Sequence, residues 1–290
     1  MRILGERMAT RIAAVTFLDG GDSAMMDQEP SEPDAHRLGW LDAVFYDWHN
    51  EHLLRRQRRD EMFYARLLAD LDRVVVLGAG TGRVSTPIAE HSRGTVVAVD
   101  RSIYRLRRAP RRGNVSYVVG DIRALPLRSA VADAAVYPYS TFQLLQSGAD
   151  RATALREVNR ILRPQATLLI DLSLRFEHRP PGRTRRIALT AYCRELDAVV
   201  TEVEEAERLA DHLAIRRLFY RGDDLLATVD ERLFFASSLG LEDLLSESGF
   251  RIVEAIRGYS PDTAHRRIYV VRREKEATLA AGPANRGDVG

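Results

Sequence analysis

The sequence is poor in several things. It has one cysteine, Cys193, among 290 residues, so no disulfide can close within the chain, and a reducing compartment, the cytoplasm, is expected. Lysine is nearly missing too: Lys275 stands alone among arginines. With arginine used so uniformly, runs such as Arg105, Arg107, Arg108 and Arg111, Arg112 carry little weight as phosphate-binding signals and read as a solvated helix face. A net charge of only +2 argues against a general nucleic-acid binder. No apolar run reaches the length of a membrane-spanning helix, and the apolar stretch 12–18 ends at Asp19, too soon for a secretory signal. Metal-ligand spacing is equally thin. His49 and His52 flank Glu51 with no further ligand nearby in sequence, so no metal is expected.

What the sequence has is a core and an organising stretch. Hydrophobic residues make up 45% of it, enough for one large α/β domain with insertions. Val74, Val75, Val76 and Leu77 run directly into Gly78-Ala79-Gly80-Thr81-Gly82-Arg83. Four apolar, mostly β-branched residues read as a parallel strand covered on both faces. The glycines then turn the chain and expose backbone N–H groups at the start of a helix, where a ligand approaches closely because side chains are missing. A second apolar run, 95–99, closes on Asp100, where an acid at a strand tip accepts hydrogen bonds from both ribose hydroxyls of a nucleoside. The plain alternative is a generic α/β turn and an incidental acid. A dinucleotide fold needs its third glycine at the position of Arg83; here it is Gly82, one place earlier.

The Gly-x-Gly-x-Gly pattern resembles the first motif of the class I S-adenosylmethionine-dependent methyltransferases. Asp121-Ile122, after the apolar residues 117–119, is similar to that family's third motif, where the acid meets the adenine amino group and the apolar neighbour packs on the ring. Asp100-Arg101-Ser102 with Leu106 and Ala109 resembles the helix after the ribose acid, 133–137 the fourth strand, and 155–162 with Arg163-Pro164 and 168–171 the fifth strand and its helix. In related enzymes a Tyr-Asp pair, matched by Tyr46-Asp47, lies over the cofactor as a lid; the alternative is that Tyr46 is core. The resemblance spans residues 40–272. It implies S-adenosyl-L-methionine as cofactor, held by Tyr46, Gly78, Ala79, Gly80, Gly82, Asp100, Arg101, Asp121, Ile122 and Tyr137.

The expected fold is α/β: a Rossmann-like, doubly wound, seven-stranded sheet with its last strand pair antiparallel, an antiparallel β insertion at 183–235, and N-terminal lid helices. Strands are expected at 73–77, 95–99, 115–120, 133–138, 166–172, 250–256 and 267–271, and helices at 83–90, 102–109, 151–162 and 239–248, the last closed by Gly249. Pro87 mildly strains the first of these helices. Trp40, Leu41, Val44, Phe45 and Trp48 make one helical stripe; Met62, Phe63, Leu67, Leu68 and Leu71 make another. Gln165-Ala166 stands where the family has Gly-Gly, which puts the local turn in question. In the insertion, Ile187, Leu189 and Ala191 alternate, as do Leu213 and Ile215, with a turn at Gly222-Asp223. Three or four strands follow, although the Glu-rich part 201–210 also fits a helix. Residues 1–35 read as a disordered extension with Met8, Met25 and Met26 as alternative starts, 36–273 as the methyltransferase domain, and 274–290 as a frayed tail.

In an open α/β sheet the ligand sits beyond the carboxyl ends of the strands, where the strand order reverses. Methyl transfer is an in-line displacement, so the protein's task is mainly alignment. Tyr137 and Tyr139, at the end of the fourth strand, and His178, after the fifth, are the candidate catalytic residues, His178 as a general base. Phe142 and Gln143 could line the acceptor pocket, and Gln143 could equally pack locally. Tyr137-Pro138-Tyr139 lacks the polar residue and second proline of enzymes that methylate exocyclic base amines. Cys193 lies in the insertion, away from the place of a base-carbon nucleophile, and reads as a small buried hydrophobe. The resemblance therefore implies methyl transfer to an amine nitrogen or hydroxyl oxygen of a small molecule, as in natural-product tailoring, with no nucleic-acid or membrane partner. The alternatives are a protein or RNA target, or a methyltransferase fold that binds the cofactor without methylating, as a cyclase-like or regulatory protein.

Overall fold

The computed structural model describes residues 32–54, 59–112 and 114–274. The expected disorder of the first residues and the frayed tail from 275 onward lie outside the described residues. Helix α1 (Glu32–His49) runs into a π turn (Asn50–Leu54), and α2 (Arg59–Leu67) follows; α1 thus begins ahead of the boundary expected at residue 36. Next come β1 (Arg73–Leu77), α3 (Ser85–His91), β2 (Thr95–Asp100), α4 (Ile103–Arg108), β3 (Val115–Val119), β4 (Ala132–Tyr137), α5 (Gly148–Ile161) and β5 (Leu162–Ser173). The insertion supplies β6 (Gly182–Cys193), β7 (Ala198–Arg208), β8 (His212–Arg221) and β9 (Asp224–Phe234), and the chain closes with α6 (Leu241–Glu247), β10 (Phe250–Arg257) and β11 (Arg266–Arg273).

The seven-stranded sheet has the order β10-β11-β5-β4-β1-β2-β3. β1 pairs in parallel with both β2 and β4, and β11 runs antiparallel to β5 and β10. The order therefore reverses between β1 and β4, at the end of the glycine-bearing strand. Alternation along β1 sorts its two faces. Val74 and Val76 pack with Tyr64 of α2, Leu68 just past its end, Ile88 of α3 and Leu106 of α4, whereas Val75 and Leu77 pack with Leu155, Val158, Ile161 and Leu245 of α5 and α6. Because α3 starts at Ser85 and not at 83, Pro87 falls in its first turn, where its missing N–H costs nothing. Ser102 and Ser147 cap α4 and α5 through the N–H groups of Arg105 and Asp150. Gln165 itself takes the left-handed backbone, φ +66°, that glycine would supply more readily.

The insertion is a separate antiparallel sheet of four strands, β6-β7-β8-β9. Residues 201–208 are strand, not helix: Val200, Glu202, Glu204 and Ala206 are buried on one face. The glutamates that favoured a helix are paired instead, Glu204 with Arg186 at 3.0 Å and Glu205 with Arg185 at 2.9 Å. Leu41, Val44, Phe45 and Trp48 of α1 pack on the inner face against Val200, Phe219 and Ala227, with Phe45 stacked on Phe219 at 4.2 Å. Cys193 is fully buried in the same cluster, the small hydrophobe it was expected to be. The two N-terminal stripes are narrower than expected, since Trp40, Met62 and Leu67 are exposed. Phe219→Ala is expected to cost about 3–5 kcal/mol of unfolding free energy in chemical denaturation, because a large ring is lost from a contact that holds α1 to the sheet.

Candidate active site

The loop after β1 is held by its own chain. Gly78, Gly80 and Gly82 all have positive φ, +71°, +56° and +83°. The N–H groups of Gly78 and Ala79 both donate to the Val99 carbonyl, at 2.8 and 3.0 Å, and that of Gly82 to the Ala79 carbonyl at 3.0 Å. The Gly80 N–H donates to Asp100 Oδ2 at 2.8 Å. These four donors are therefore engaged within the protein, not exposed as the sequence suggested. The space at the glycines differs too. A Cβ on Gly82 would lie 2.8 Å from the Tyr117 hydroxyl and 3.0 Å from Ala109, so Gly82 serves the packing of α3 against its neighbours, not ligand approach. A Cβ on Gly78 would strike Thr141 at 2.4 Å. Only Gly80 faces a side chain from α1, with Tyr46 Oη 2.9 Å from the Cβ position.

Tyr46 thus sits where a lid was expected, partly buried over the loop. The Arg105 guanidinium stacks on its ring at 4.2 Å and is gripped at both ends by Asp42, each contact 2.9 Å. Burial disfavours the charge on Arg105, and Asp42 more than offsets this, so the guanidinium is held charged. Arg108 joins Asp47 of α1, at 2.5 Å, to Glu195 beyond β6. The arginines expected to form a solvated face are therefore in part a set of ties between α4, α1 and the second sheet.

Asp100 is buried. Its Oδ1 accepts the Ser102 N–H at 2.8 Å and its Oδ2 that of Gly80. Each carboxylate oxygen has a second acceptor direction left, so Asp100 and the glycine beside it fit a ribose diol. Asp121 fits an adenine amino group less well. Arg123 grips both its oxygens through Nε and Nη2, and this hydrogen bonding, ahead of other effects, holds the carboxyl below its usual range. Ile122 packs against the core below, and Arg101 is exposed.

Tyr137 is not a site residue. It is fully buried on the α5 face of β4, packed on Phe142, with its hydroxyl 3.4 Å from the Ala154 carbonyl, and burial pushes that hydroxyl well up. Phe142 is likewise core. Gln143 is fully buried and structural: its Nε2 donates to the carbonyls of Ser173 (3.1 Å) and Phe234 (2.8 Å), and its Oε1 accepts the Ser173 N–H (2.7 Å). From the turn after β4 it ties the end of β5 to the end of β9. His178 is exposed on a 3₁₀ turn (Arg175–His178) whose Phe176 packs on the inserted sheet. His49 binds Glu202 at 2.7 Å and His52 the Trp48 carbonyl at 2.8 Å. Among the described residues no three His, Cys, Asp or Glu side chains converge as for a metal.

Tyr139 is where the sequence put it, at the end of β4. Arg83 and Arg266 stack on its ring at 4.9 and 4.5 Å. Arg83 is bound by Asp60 at 2.7 Å, which outweighs the effect of burial and keeps the guanidinium charged. Sequence reasoning passed over Arg83, Asp171, Tyr64, Tyr259 and Arg266. For Asp171 a signal existed, since an acid closes the apolar run Leu168-Leu169-Ile170. A groove of about 790 Å³ runs along the outer flank of the loop by Thr81, Gly82 and Arg83, between Glu61, Arg108 and Glu195. Asp100, Asp121, Ile122 and Tyr139 do not line it.

Comparison with known proteins agrees with this geometry. Residues 75–170 match the family model described as a methyltransferase domain. The chain is 34% identical over 109 residues to the ubiquinone/menaquinone biosynthesis C-methyltransferase UbiE of Syntrophotalea carbinolica, a match that covers 36% of this chain and 44% of that protein. The chain thus spans less than half the length of this curated relative. Among solved structures, the CcbJ methyltransferase of Streptomyces caelestis superposes with a TM-score of 0.62 at 20% identity, over 75% of this chain and 89% of that one. SAM-bound CalS10 of Micromonospora echinaspora, an amino pentose methyltransferase involved in calicheamicin biosynthesis, superposes with a TM-score of 0.54 at 17% identity, over 85% and 98%. At such identities the structures speak for the fold.

Tyr137→Phe is expected to leave cofactor affinity unchanged by calorimetry and to lower stability by no more than about 1 kcal/mol, since its hydroxyl makes a single long contact inside the core. The strand order, the glycine loop latched to Asp100 and the match over residues 75–170 agree on a stretch similar to a methyltransferase domain, set in a Rossmann-like fold.

Proposed function

We propose that the protein transfers the methyl group of S-adenosyl-L-methionine to an amine nitrogen or a hydroxyl oxygen of a small molecule in the cytoplasm. The observation that carries this reading is the Gly80–Asp100 latch beside the point where the strand order reverses, with Tyr46 closing over it. Asp100 would hold the ribose through its remaining acceptor directions, Gly80 would admit close approach, and Tyr46 would cover the site from α1. The bound cofactor brings the methyl group already activated on a sulfonium. The chain's own task is then to orient the acceptor and exclude water.

The residues at the end of β4 suit that task. Tyr139 offers a hydroxyl that burial pushes up, against the pull of Arg266 and Arg83, so at neutral pH it remains a donor and not a base. The inserted sheet and α1 supply the cover. A small acceptor is supported by the low net charge, which favours no polyanion. It is also supported by the likeness to CalS10, an amino pentose methyltransferase. No helix among the described residues is long and apolar enough to cross a membrane.

A screen of amino sugars, other amines and phenols with labelled methyl donor tests the reading: a labelled product with S-adenosylhomocysteine release is expected from at least one class. Cofactor that binds and is never turned over would favour a binding role without methylation. Asp100→Ala should lower cofactor affinity by at least about tenfold, given roughly 1.5–3 kcal/mol per charge-assisted hydrogen bond, with the fold retained by circular dichroism. Unchanged affinity in calorimetry would remove Asp100 from the site.

A further inference from the structure

We propose that Asp171, paired with Arg266, is a positioning residue that fixes Tyr139 on the acceptor side of the active site, so that Tyr139 meets the acceptor through its hydroxyl and not through a ring face. The inference rests on the methyl-transfer reading of the site. It begins with the backbone. Tyr139 and Ser140 are consecutive non-glycine residues in the left-handed region, at φ +47° and +69°. Such residues are uncommon singly, and they persist only where the surroundings over-determine them.

Asp171 does so. Its Oδ2 accepts the Tyr139 N–H at 2.9 Å, and its carbonyl accepts the Ser140 N–H at 3.0 Å. Its Oδ1 accepts Arg266 Nε at 2.8 Å, and Arg266 Nη2 donates to Ser140 Oγ at 3.0 Å. Tyr64 from α2 donates to Oδ2 at 2.8 Å, and Tyr259, from the loop before β11, donates to the same oxygen. Asp171 is fully buried and Arg266 is 4% exposed. Joining β5 to β11 needs none of this, because apolar residues of similar volume often replace a buried ion pair at no loss. What the polar cluster adds is a fixed place for two strained residues.

The ring is fixed as well. Two guanidinium groups, of Arg83 and Arg266, lie over it at 4.9 and 4.5 Å from its centroid. Each is anchored by its own carboxylate, Asp60 and Asp171. A ring already engaged by two anchored cations is a poor partner for a further cation, and the hydroxyl edge remains. Between 134 and 140 only Tyr139 keeps partial exposure.

The test replaces Tyr139 by 3-fluorotyrosine in the full chain and follows its fluorine resonance, with affinity for S-adenosylhomocysteine by calorimetry and the melting temperature alongside. The parent should show one narrow resonance that moves on adding S-adenosylhomocysteine. Asp171→Asn should broaden or split it and abolish the ligand response, while affinity stays within about threefold, since Asp171 shares no partner with Gly80 or Asp100. Tyr64→Phe, which removes one donor and leaves the ion pair, should shift the resonance in the same direction by less, and it serves if Asp171→Asn does not fold. A resonance unchanged in folded variants overturns the proposal. So does loss of affinity in step with the resonance, which marks a general structural role. If the parent binds no S-adenosylhomocysteine while the variants still disturb the resonance, the methyl-transfer reading fails and the positioning of Tyr139 by Asp171 stands.

Discussion

One helix couples two sheets that share no hydrogen-bonded strand. On α1, Phe45 stacks on Phe219 of the inserted sheet while the next residue, Tyr46, reaches Gly80 of the loop after β1. Neighbouring residues on a helix point about 100° apart, from 3.6 residues per turn, so a single turn can serve both surfaces. The closure of the loop by Tyr46 therefore depends on the docking of α1 on the inserted sheet. Gln143 is the second coupling, binding the carbonyls of Ser173 at the end of β5 and Phe234 at the end of β9.

Charge is arranged around the same junction. Arg105 with Asp42, and Arg108 with Asp47 and Glu195, tie α4 to α1 and to the inserted sheet. These side chains keep a fifth to a third of their area exposed, and such pairs contribute roughly 0–1 kcal/mol each. Their value is geometric: the planar fork of arginine grips a carboxylate at two points and at the same time stacks on an aromatic ring, as Arg105 does with Tyr46. Arg83 and Arg266 repeat the arrangement around Tyr139 at greater depth.

Most of the sheet was legible in the sequence because buried parallel strands leave a local mark. Residues 74–77 and 95–99 read as apolar runs, 133–137 was placed by its resemblance to a fourth strand, and strands formed at all three. The loop and Asp100 were legible for the same reason, since strand, glycine and acid lie within one βαβ unit. Residues 201–208 were ambiguous because their glutamates are satisfied by arginines on neighbouring strands, and pairing across strands leaves no local signal. Tyr137 was misplaced by two residues of reach. It lies in the strand and turns to the α5 face, while Tyr139, past the strand end, stays partly exposed beside Arg83 and Arg266.

The sequence by itself determined the unit of strand, glycine loop and acid at the carboxyl end of β1 and β2, because a glycine loop followed by an acid at the next strand tip is a local pattern. Tertiary structure decided which side chains stand around that place. Asp171, Tyr64, Tyr259 and Arg266 come together from three separated segments. Gly82 and Gly78 were claimed by Tyr117 and Thr141 for packing, while Tyr46 was brought to Gly80. These contacts depend on the distance and angle between whole elements, which the packing of the two cores sets and no short stretch of residues encodes.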